Sequence, residues 1–408
     1  MFDTWLDAME DDNISAVLML DLSAAFDVVD HDILIKKLEL YGVQVESLGW
    51  FESYLSGRSQ QVFIEGSLSK PLFLDAGVPQ GSVLGPLLYV IFTNDLPEAI
   101  HDHLAESNSL YNIHCHSCGG MCSFADDSTI TVSRANPTEL DQMVDLKYKE
   151  VELYMKANRL VLNSDKTNLL IMATPYQHKH HGDFGITLNT GTEIIKPIYT
   201  EKLLGGFITN DFKFNEHVRD NKKSVFKALT SRVNALAKIC SLSPFKIRKQ
   251  VGNGLVISKI TYLIQWWGGC PDYLLNYIQK LQNRAARLVT RHGQLTPTKV
   301  VLHQCGWLSV RQMFHYHSLL LVYQIKQHNK PEYFRPHFPS AFPYRTRLAT
   351  GMGVRREVTY KQEVSKRSFA PRTSTMWNQL PATLRSLKST NQFKQSLKTW
   401  IKENVPIE

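Results

Sequence analysis

The run Ala16-Val-Leu-Met-Leu20, closed by Asp21, constrains the fold more than any other stretch of the chain. Its residues are continuously apolar instead of alternating, the signature of a strand buried on both faces. A second stretch, Cys122 to Val132, reads as a tight β-hairpin. Phe124 and Ala125 lead in, Ser128 to Val132 lead out with β-prone residues, and Asp126-Asp127-Ser128 supplies the turn chemistry. Two adjacent carboxylates are costly in a folded protein unless a cation neutralises them. An isolated pair is satisfied as a solvated turn, whereas a divalent-metal seat needs a third carboxylate from elsewhere. Asp21 is the candidate, because the strand it closes and the hairpin can lie side by side in one sheet, so that three carboxylates converge at one edge. Hard oxygens gathered at one point suit Mg²⁺, and two such ions stabilise the attacking and leaving oxygens of phosphoryl transfer.

The segments around these two fit an α+β layer, one antiparallel sheet with helices packed on one face. Helices are expected over Asp32 to Tyr41, capped by Asp30 or Asp32 and followed by Gly42, over Ser47 to Leu55, and over Leu87 to Phe92. Gln60 to Ile64 and Pro71 to Leu74 read as a hairpin about Gly66-Ser67 that leads into the loop Gly77-Val-Pro-Gln-Gly-Ser-Val-Leu-Gly-Pro86. An amphipathic helix is expected from about Thr138 to Lys156, with Leu140, Met143, Val144, Val151, Tyr154 and Met155 on one face. Strands over Leu160 to Asn163 and Leu169 to Ala173 follow, around Asp165-Lys166-Thr167. Residues 1–14 read as acidic and polar with one apolar pair around Trp5 and Leu6, and 101–121 as an irregular insertion. Beyond Lys213, helical spacing in Val225-Phe226-Leu229-Val233-Leu236 and Leu274-Ile278-Leu281-Ala285-Leu288 marks a helical module, with further helical patches at Met313 to Ile325 and Gln392 to Lys402.

Composition matters mainly through its asymmetry. Residues 1–132 hold 4 Lys/Arg against 20 Asp/Glu, the remainder 42 against 18, and Lys213 to Arg291 alone 15 against 3. The basic part suits a polyanion and the acidic part suits cations. With 408 residues, 43% of them hydrophobic, the chain has enough apolar material for two or three domains, which excludes disorder as the default. Six cysteines do not make a disulfide framework at this length, and neither a leader nor an apolar run of membrane length is present. A soluble protein of a reducing interior compartment is expected. His114-Cys115-His116-Ser117-Cys118 and Cys122 offer five soft ligands in nine residues. Tetrahedral zinc is one reading of them, and a loop inserted before the hairpin is the other, since the second half of a paired site is absent.

Four strings resemble, in content and order, successive motifs of the reverse transcriptases of non-LTR (LINE-type, jockey-like) retrotransposons. They are Leu20-Asp-Leu-Ser-Ala-Ala-Phe-Asp-Val-Val-Asp-His31, Gly77-Val-Pro-Gln-Gly-Ser-Val-Leu-Gly-Pro-Leu-Leu88, Phe124-Ala-Asp-Asp127 and Leu162-Asn-Ser-Asp-Lys-Thr167. The likeness continues through Lys202 to Ile208, and Arg367-Ser-Phe369 and Met376 to Pro381 resemble the tails of such elements. The resemblance implies a palm over 1–212, a basic helical thumb over 213–292 and a mostly helical C-terminal region over 293–408. It implies an RNA-directed DNA polymerase that adds deoxynucleotides to a primer 3′-hydroxyl with two Mg²⁺ ions, Mn²⁺ being the substitute. RNA template, DNA primer and deoxynucleoside triphosphates would be its partners, with no membrane, in the nucleus or cytoplasm.

The resemblance also implies a role for each matched residue. Asp21 and Asp126 would hold the metals, with Asp127 completing the acidic cluster. Phe26 would lie under the sugar and exclude a 2′-hydroxyl. Pro79, Gln80 and Gly81 would shape the template and nucleotide pocket, and Lys166 would stand near the leaving pyrophosphate as a cation and proton donor. Leu204, Gly205, Gly206 and Phe207 would grip the primer end. Asp27, Asp30 and His31 belong to the matched string, but capping and loop hydrogen bonds account for them as well as chemistry does. The family's fingers region and upstream endonuclease do not fit in the twenty residues before Asp21. An N-terminally truncated element is therefore expected, with those portions as missing partners. The alternative function is a catalytically inactive, nucleic-acid-binding remnant, and a palm polymerase that makes RNA is disfavoured by Phe26.

Overall fold

The structure is a computed structural model whose described residues are 1–100, 114–115, 119–182, 184–240, 243–328, 330–331, 334, 338, 361 and 365–407. They group into two units: Asp11–Tyr199 with Met1, and Phe2–Glu10 with Thr200–Glu408.

Helix α1 (Phe2–Glu10) belongs to the second unit, so the first opens with β1 (Ile14–Leu20). All seven β1 residues are buried, as its unbroken apolar run requires. There follow α2 (His31–Leu40), α3 (Val45–Leu55), β2 (Arg58–Gln60), β3 (Phe63–Ile64), β4 (Ser67–Leu68), β5 (Leu72–Leu74), α4 (Gly85–Thr93) and α5 (Leu96–Ala99). The unit continues with β6 (His114–Cys115), β7 (Gly119–Phe124), β8 (Asp127–Arg134), α6 (Pro137–Ala157) and β9 (Asn168–Met172). A five-stranded antiparallel sheet runs in the order β6-β7-β8-β1-β9.

One face of β1, carrying Ala16, Leu18 and Leu20, shares a core with Leu34 and Leu38 of α2, Leu88 and Phe92 of α4, and Leu140, Val144 and Val151 of α6. Each such side chain contributes about 1.5–3 kcal/mol by leaving water. Helix α6 starts where the Asn136 side chain accepts from the Thr138 amide and Pro137 opens the first turn. Asp30 caps α2 in the same way by accepting from the Ile33 amide at 3.0 Å. The palm-like layer expected from the sequence is thus present.

Three local expectations change. Leu160 to Asn163 is not a strand: its one ladder contact is an isolated bridge between Leu162 and Leu22. Arg159 takes φ 56°, and the segment then hydrogen-bonds the loop after β1, Ser23 N–H to Val161 and Asn163 N–H to the Asp21 carbonyl. The ribbon over 58–74 is a hairpin, but it splits into the pairs β2–β5 and β3–β4, because the Ser69 hydroxyl takes the Val62 amide in place of a ladder bond. Residues 2–10 form a helix where only a polar segment was expected.

In the second unit, strands Thr200–Leu203 and Gly206–Thr209 form a hairpin. The helices Val225–Cys240, Asp272–Thr290, Val310–His328, Phe369–Gln379 and Thr390–Asn404 converge on one core containing Leu229, Ile278, Tyr323, Trp377 and Phe393. Tyr323 and Phe393 stack with centroids 4.0 Å apart. A single core therefore runs across residue 292, where the sequence suggested a change of region. Helix α1 joins the same unit: Asp3 accepts the first-turn amides of Phe369 at 2.8 Å and Ala370 at 3.3 Å, and the Phe2 ring packs edge-on to Phe212 and Trp266. Among the described residues no helix is long and apolar enough to cross a membrane.

Candidate active site

The register of the sheet determines where the carboxylates fall. Leu20 pairs with Ser128, and Phe124 pairs with Asp127 across the β7–β8 turn. Asp21, the next residue after β1, and the turn residues Ala125 and Asp126 therefore occupy one end of the sheet. Ala125 takes φ 55°, which lets so short a turn reverse the chain. The turn is Ala125-Asp126, and Asp127 already opens β8, so the two carboxylates are not both at the tip. Asp126 is half-buried and Asp127 exposed.

Lys166 reaches this end of the sheet from one turn of 3-10 helix, Ser164–Lys166, and its Nζ donates to Asp21 Oδ2 at 3.1 Å. Among the described residues no three His, Cys, Asp or Glu side chains stand close enough together to hold an ion on protein ligands alone. The soft-ligand cluster cannot be placed: His116 to Cys118 and the side chains of His114 and Cys115 lie outside the described residues. Cys122 is a free, exposed thiol.

The Gly77–Pro86 loop is tied to the turn after β1. Gly77 N–H donates to the Val29 carbonyl and Val78 N–H to that of Phe26, both at 2.8 Å. His31 Nε2 donates to the Gly77 carbonyl at 2.8 Å, and Gln80 Nε2 to Asp27 Oδ1 at 3.0 Å. Gly77 sits at φ 92°, and a Cβ there would stand 2.8 Å from the Asp27 carbonyl oxygen, so only glycine permits this approach. Phe26 is thereby bonded next to the Val78-Pro79-Gln80-Gly81 stretch through its own carbonyl. Asp27, Asp30 and His31 act here as loop and cap partners.

One residue of this site escapes sequence reasoning. Tyr89 lies in the apolar run of α4 and reads as core, but its ring stacks on Phe26 at 4.6 Å and 26°. Its hydroxyl is buried without a hydrogen-bond partner. Burial pushes the phenol up, and the Asp126 carboxylate pushes it further. Tyr89 thus stacks on Phe26 and feels the charge of Asp126, residues 63 and 37 positions away in sequence. The only local signal was a hydroxyl inside an otherwise apolar helix.

Leu204, Gly205, Gly206 and Phe207 belong to the second unit. Leu203 pairs with Gly206, so Leu204 and Gly205, at φ 46° and 81°, form the two-residue turn. The Phe207 amide donates to His217 Nδ1 at 3.2 Å. His217 is 2% exposed, and burial, with Lys259 nearby, depresses its imidazole to about 4. Because unfolded histidine titrates near 6.5, the unfolded chain binds more protons between those values. Stability is complete above about pH 6.5 and falls as pH drops toward 4, by up to roughly 3 kcal/mol. Thermal unfolding of the full chain at pH 7 and pH 5 checks this. His217→Asn, which keeps an acceptor but does not titrate, is expected to flatten the pH slope. Beside the hairpin, Lys202, Phe207, Asp220, Asn221, Lys222 and Lys223 line an open cleft of about 630 Å³.

An antiparallel sheet with helices on one face, acidic residues at the end of its central strand, and a glycine-bearing loop against the following turn define a polymerase palm. Residues 6–200 match the family Reverse transcriptase (RNA-dependent DNA polymerase). The chain resembles the polymerases of jockey-like non-LTR elements. It is 28% identical over 295 residues to the probable RNA-directed DNA polymerase from transposon BS of Drosophila melanogaster, covering 70% of this chain and 30% of the relative. It is 29% identical to the probable RNA-directed DNA polymerase from transposon X-element of the same organism, over 67% of this chain and 28% of the relative. It is 27% identical to the RNA-directed DNA polymerase from mobile element jockey of Drosophila funebris, over 70% and 29%. The matched region thus spans less than a third of those relatives. Telomerase from Candida tropicalis in complex with a fragment of telomeric RNA matches with a TM-score of 0.38 and 11% identity over 77% of this chain and 49% of that one, a likeness too distant to add to the assignment.

Proposed function

We propose that the chain is a polymerase portion of a non-LTR retrotransposon that extends a primer 3′-hydroxyl with deoxynucleotides on an RNA template. The observation that carries this reading is the meeting of Asp21 and Asp126 at one end of the sheet, with Lys166 bonded to Asp21 and Phe26 stacked on Tyr89. Reverse transcriptases generally use divalent metal ions. Mg²⁺ takes one or two carboxylates and fills its remaining positions with water and substrate phosphates. A pair of acids without a closed protein cage therefore fits an ion that arrives with a triphosphate. Asp21 and Asp126 would hold two Mg²⁺ ions, or Mn²⁺, with Asp127 completing the local negative charge. When bound, the ions supply stabilisation of the attacking and leaving oxygens.

The protein's own groups do the rest. Lys166 offers a cation, and a proton, to the leaving pyrophosphate. Phe26, its ring held flat on Tyr89, fills the space a 2′-hydroxyl would need. Pro79, Gln80 and Gly81 border the template and incoming base. In the second unit, Leu204 to Phe207 grip the primer end. Lys202 in the cleft and the exposed Lys222, Lys223 and Lys227 meet phosphates, so binding weakens steeply with salt. The test is primer extension by the full chain on an RNA template with Mg²⁺. Extension with deoxynucleotides and not with ribonucleotides is expected. Equal use of ribonucleotides overturns the role of Phe26, and salt-sensitive binding without extension identifies an inactive remnant.

A further inference from the structure

We propose that Tyr262 is a positioning residue for the hairpin Thr200–Thr209, fixing the tip on which a primer end is set. The proposal rests on reading that hairpin as the primer grip. Tyr262 Oη donates to the Leu204 carbonyl at 2.5 Å, a bond between residues 58 apart in sequence. That carbonyl belongs to the two-residue turn itself. A two-stranded hairpin of four-residue strands is marginal alone, so its tip needs an outside anchor.

The rest of the seat is built for close approach. A Cβ at Gly205 would lie 3.3 Å from the Tyr262 ring, and one at Gly206 only 2.7 Å from the Trp266 ring. The two glycines let the backbone lie against two aromatic rings from one short segment. That segment is itself sharply turned: Tyr262 is extended and Leu263 takes φ 54°, which separates the helical turns Ser258–Thr261 and Ile264–Trp267. A non-glycine residue in the left-handed region is strained and persists where surrounding structure holds it. Here Trp267 Nε1 donates to the Tyr262 carbonyl at 2.9 Å from a fully buried indole. The main chain of Tyr262 is thus pinned to the core while its hydroxyl reaches out to the hairpin.

The returning strand is held separately by the bond from the Phe207 amide to His217. Two contacts, Tyr262 at the turn and His217 behind it, thereby set both the height and the tilt of the tip. The Lys259 ammonium, 5.8 Å from the Tyr262 ring centroid, adds positive charge beside it. Tyr262 is about half exposed, so losing its hydroxyl leaves the core intact.

The experiment uses Tyr262→Phe in the full chain. Amide hydrogen exchange is read over Leu204–Phe207, together with fluorescence anisotropy of a labelled DNA primer with a recessed 3′ end on an RNA template, and of a continuous blunt duplex. Exchange at the tip is expected to quicken about fivefold and affinity for the recessed end to fall about threefold to tenfold, as for loss of one hydrogen bond. Blunt-duplex binding and the melting temperature should not move. A general structural role would shift all four readouts together. Unchanged tip exchange overturns the proposal. Phe207→Ala tests the underlying reading: faster tip exchange in Tyr262→Phe, with recessed-end binding unaffected in both variants, supports the positioning role and overturns the primer grip.

Discussion

Asp126→Asn is expected to reduce primer extension by on the order of 10³-fold while leaving primer–template binding and thermal unfolding unchanged. The substitution keeps size and shape and removes one negative charge. Asp126 sits on a two-residue turn and its side chain is half-buried, so the fold does not depend on its charge. Asn cannot neutralise a divalent ion, so any step that relies on the metal loses its largest electrostatic contribution. Asp21→Asn is expected to lose as much activity, and it also removes the charge from the 3.1 Å bond that Lys166 makes to this side chain. Extension that survives Asp126→Asn would remove this turn from the chemistry.

Lys37→Met is expected to destabilise the first unit by on the order of 3 kcal/mol, read as a lower midpoint in denaturant unfolding. Lys37 looks like a surface residue of α2, yet it is 9% exposed. Its Nζ donates to the Phe92 carbonyl at 2.6 Å, Asp95 Oδ1 at 2.8 Å and Tyr154 Oη at 3.2 Å. The Phe92 carbonyl is one of the last of α4, where a helix has no acceptor-satisfying amides of its own and where positive charge is favoured. One ammonium therefore ties α2, α4 and α6 together behind the site. Methionine fills the space but takes the ammonium from the Phe92 carbonyl and from Asp95, which keeps only the Tyr154 hydroxyl at 2.6 Å.

The same network has a pH signature. Burial would raise the Asp95 carboxyl, but the Lys37 and Tyr154 hydrogen bonds outweigh it and hold it below its usual range. Its stabilisation is complete above about pH 4 and is lost as pH falls through the lowered folded value. Without Lys37 the balance reverses, and acid unfolding should begin at higher pH.

Much of the palm was legible because its signals are local. β1 announces itself by the unbroken apolar run Ala16–Leu20, and α6 by apolar residues at helical spacing behind an Asn-Pro start. Asp21, Asp126 and Lys166 could be nominated from matched strings, and the register then brought the first two to one end of the sheet. What could not be read depends on partners distant in sequence. Lys37 needs Asp95 and Tyr154, Tyr89 needs Phe26 and Asp126, and Tyr262 needs Leu204. In each case the residue alone has an ordinary explanation as surface or core. The Leu160–Asn163 stretch failed for a related reason: its apolar, β-branched composition is strand-like, but its hydrogen bonds go to the loop after β1. Helix α1 was missed because its apolar face of Trp5, Leu6 and Met9 is brief and lies among acidic residues.

The bond from Asp3 to Phe369 bears on how such a chain is made. On a ribosome, residue 3 emerges long before residue 369, and the intervening segment includes an entire separate unit. The first unit can fold while synthesis continues, since its strands and helices lie within one continuous stretch. The second cannot complete the contact between Asp3 and its Phe369–Gln379 helix until the whole first unit has been made, so its maturation follows that of the first. Until then Phe2, Trp5 and Leu6 remain apolar surface on the nascent chain, the kind of segment that chaperones engage.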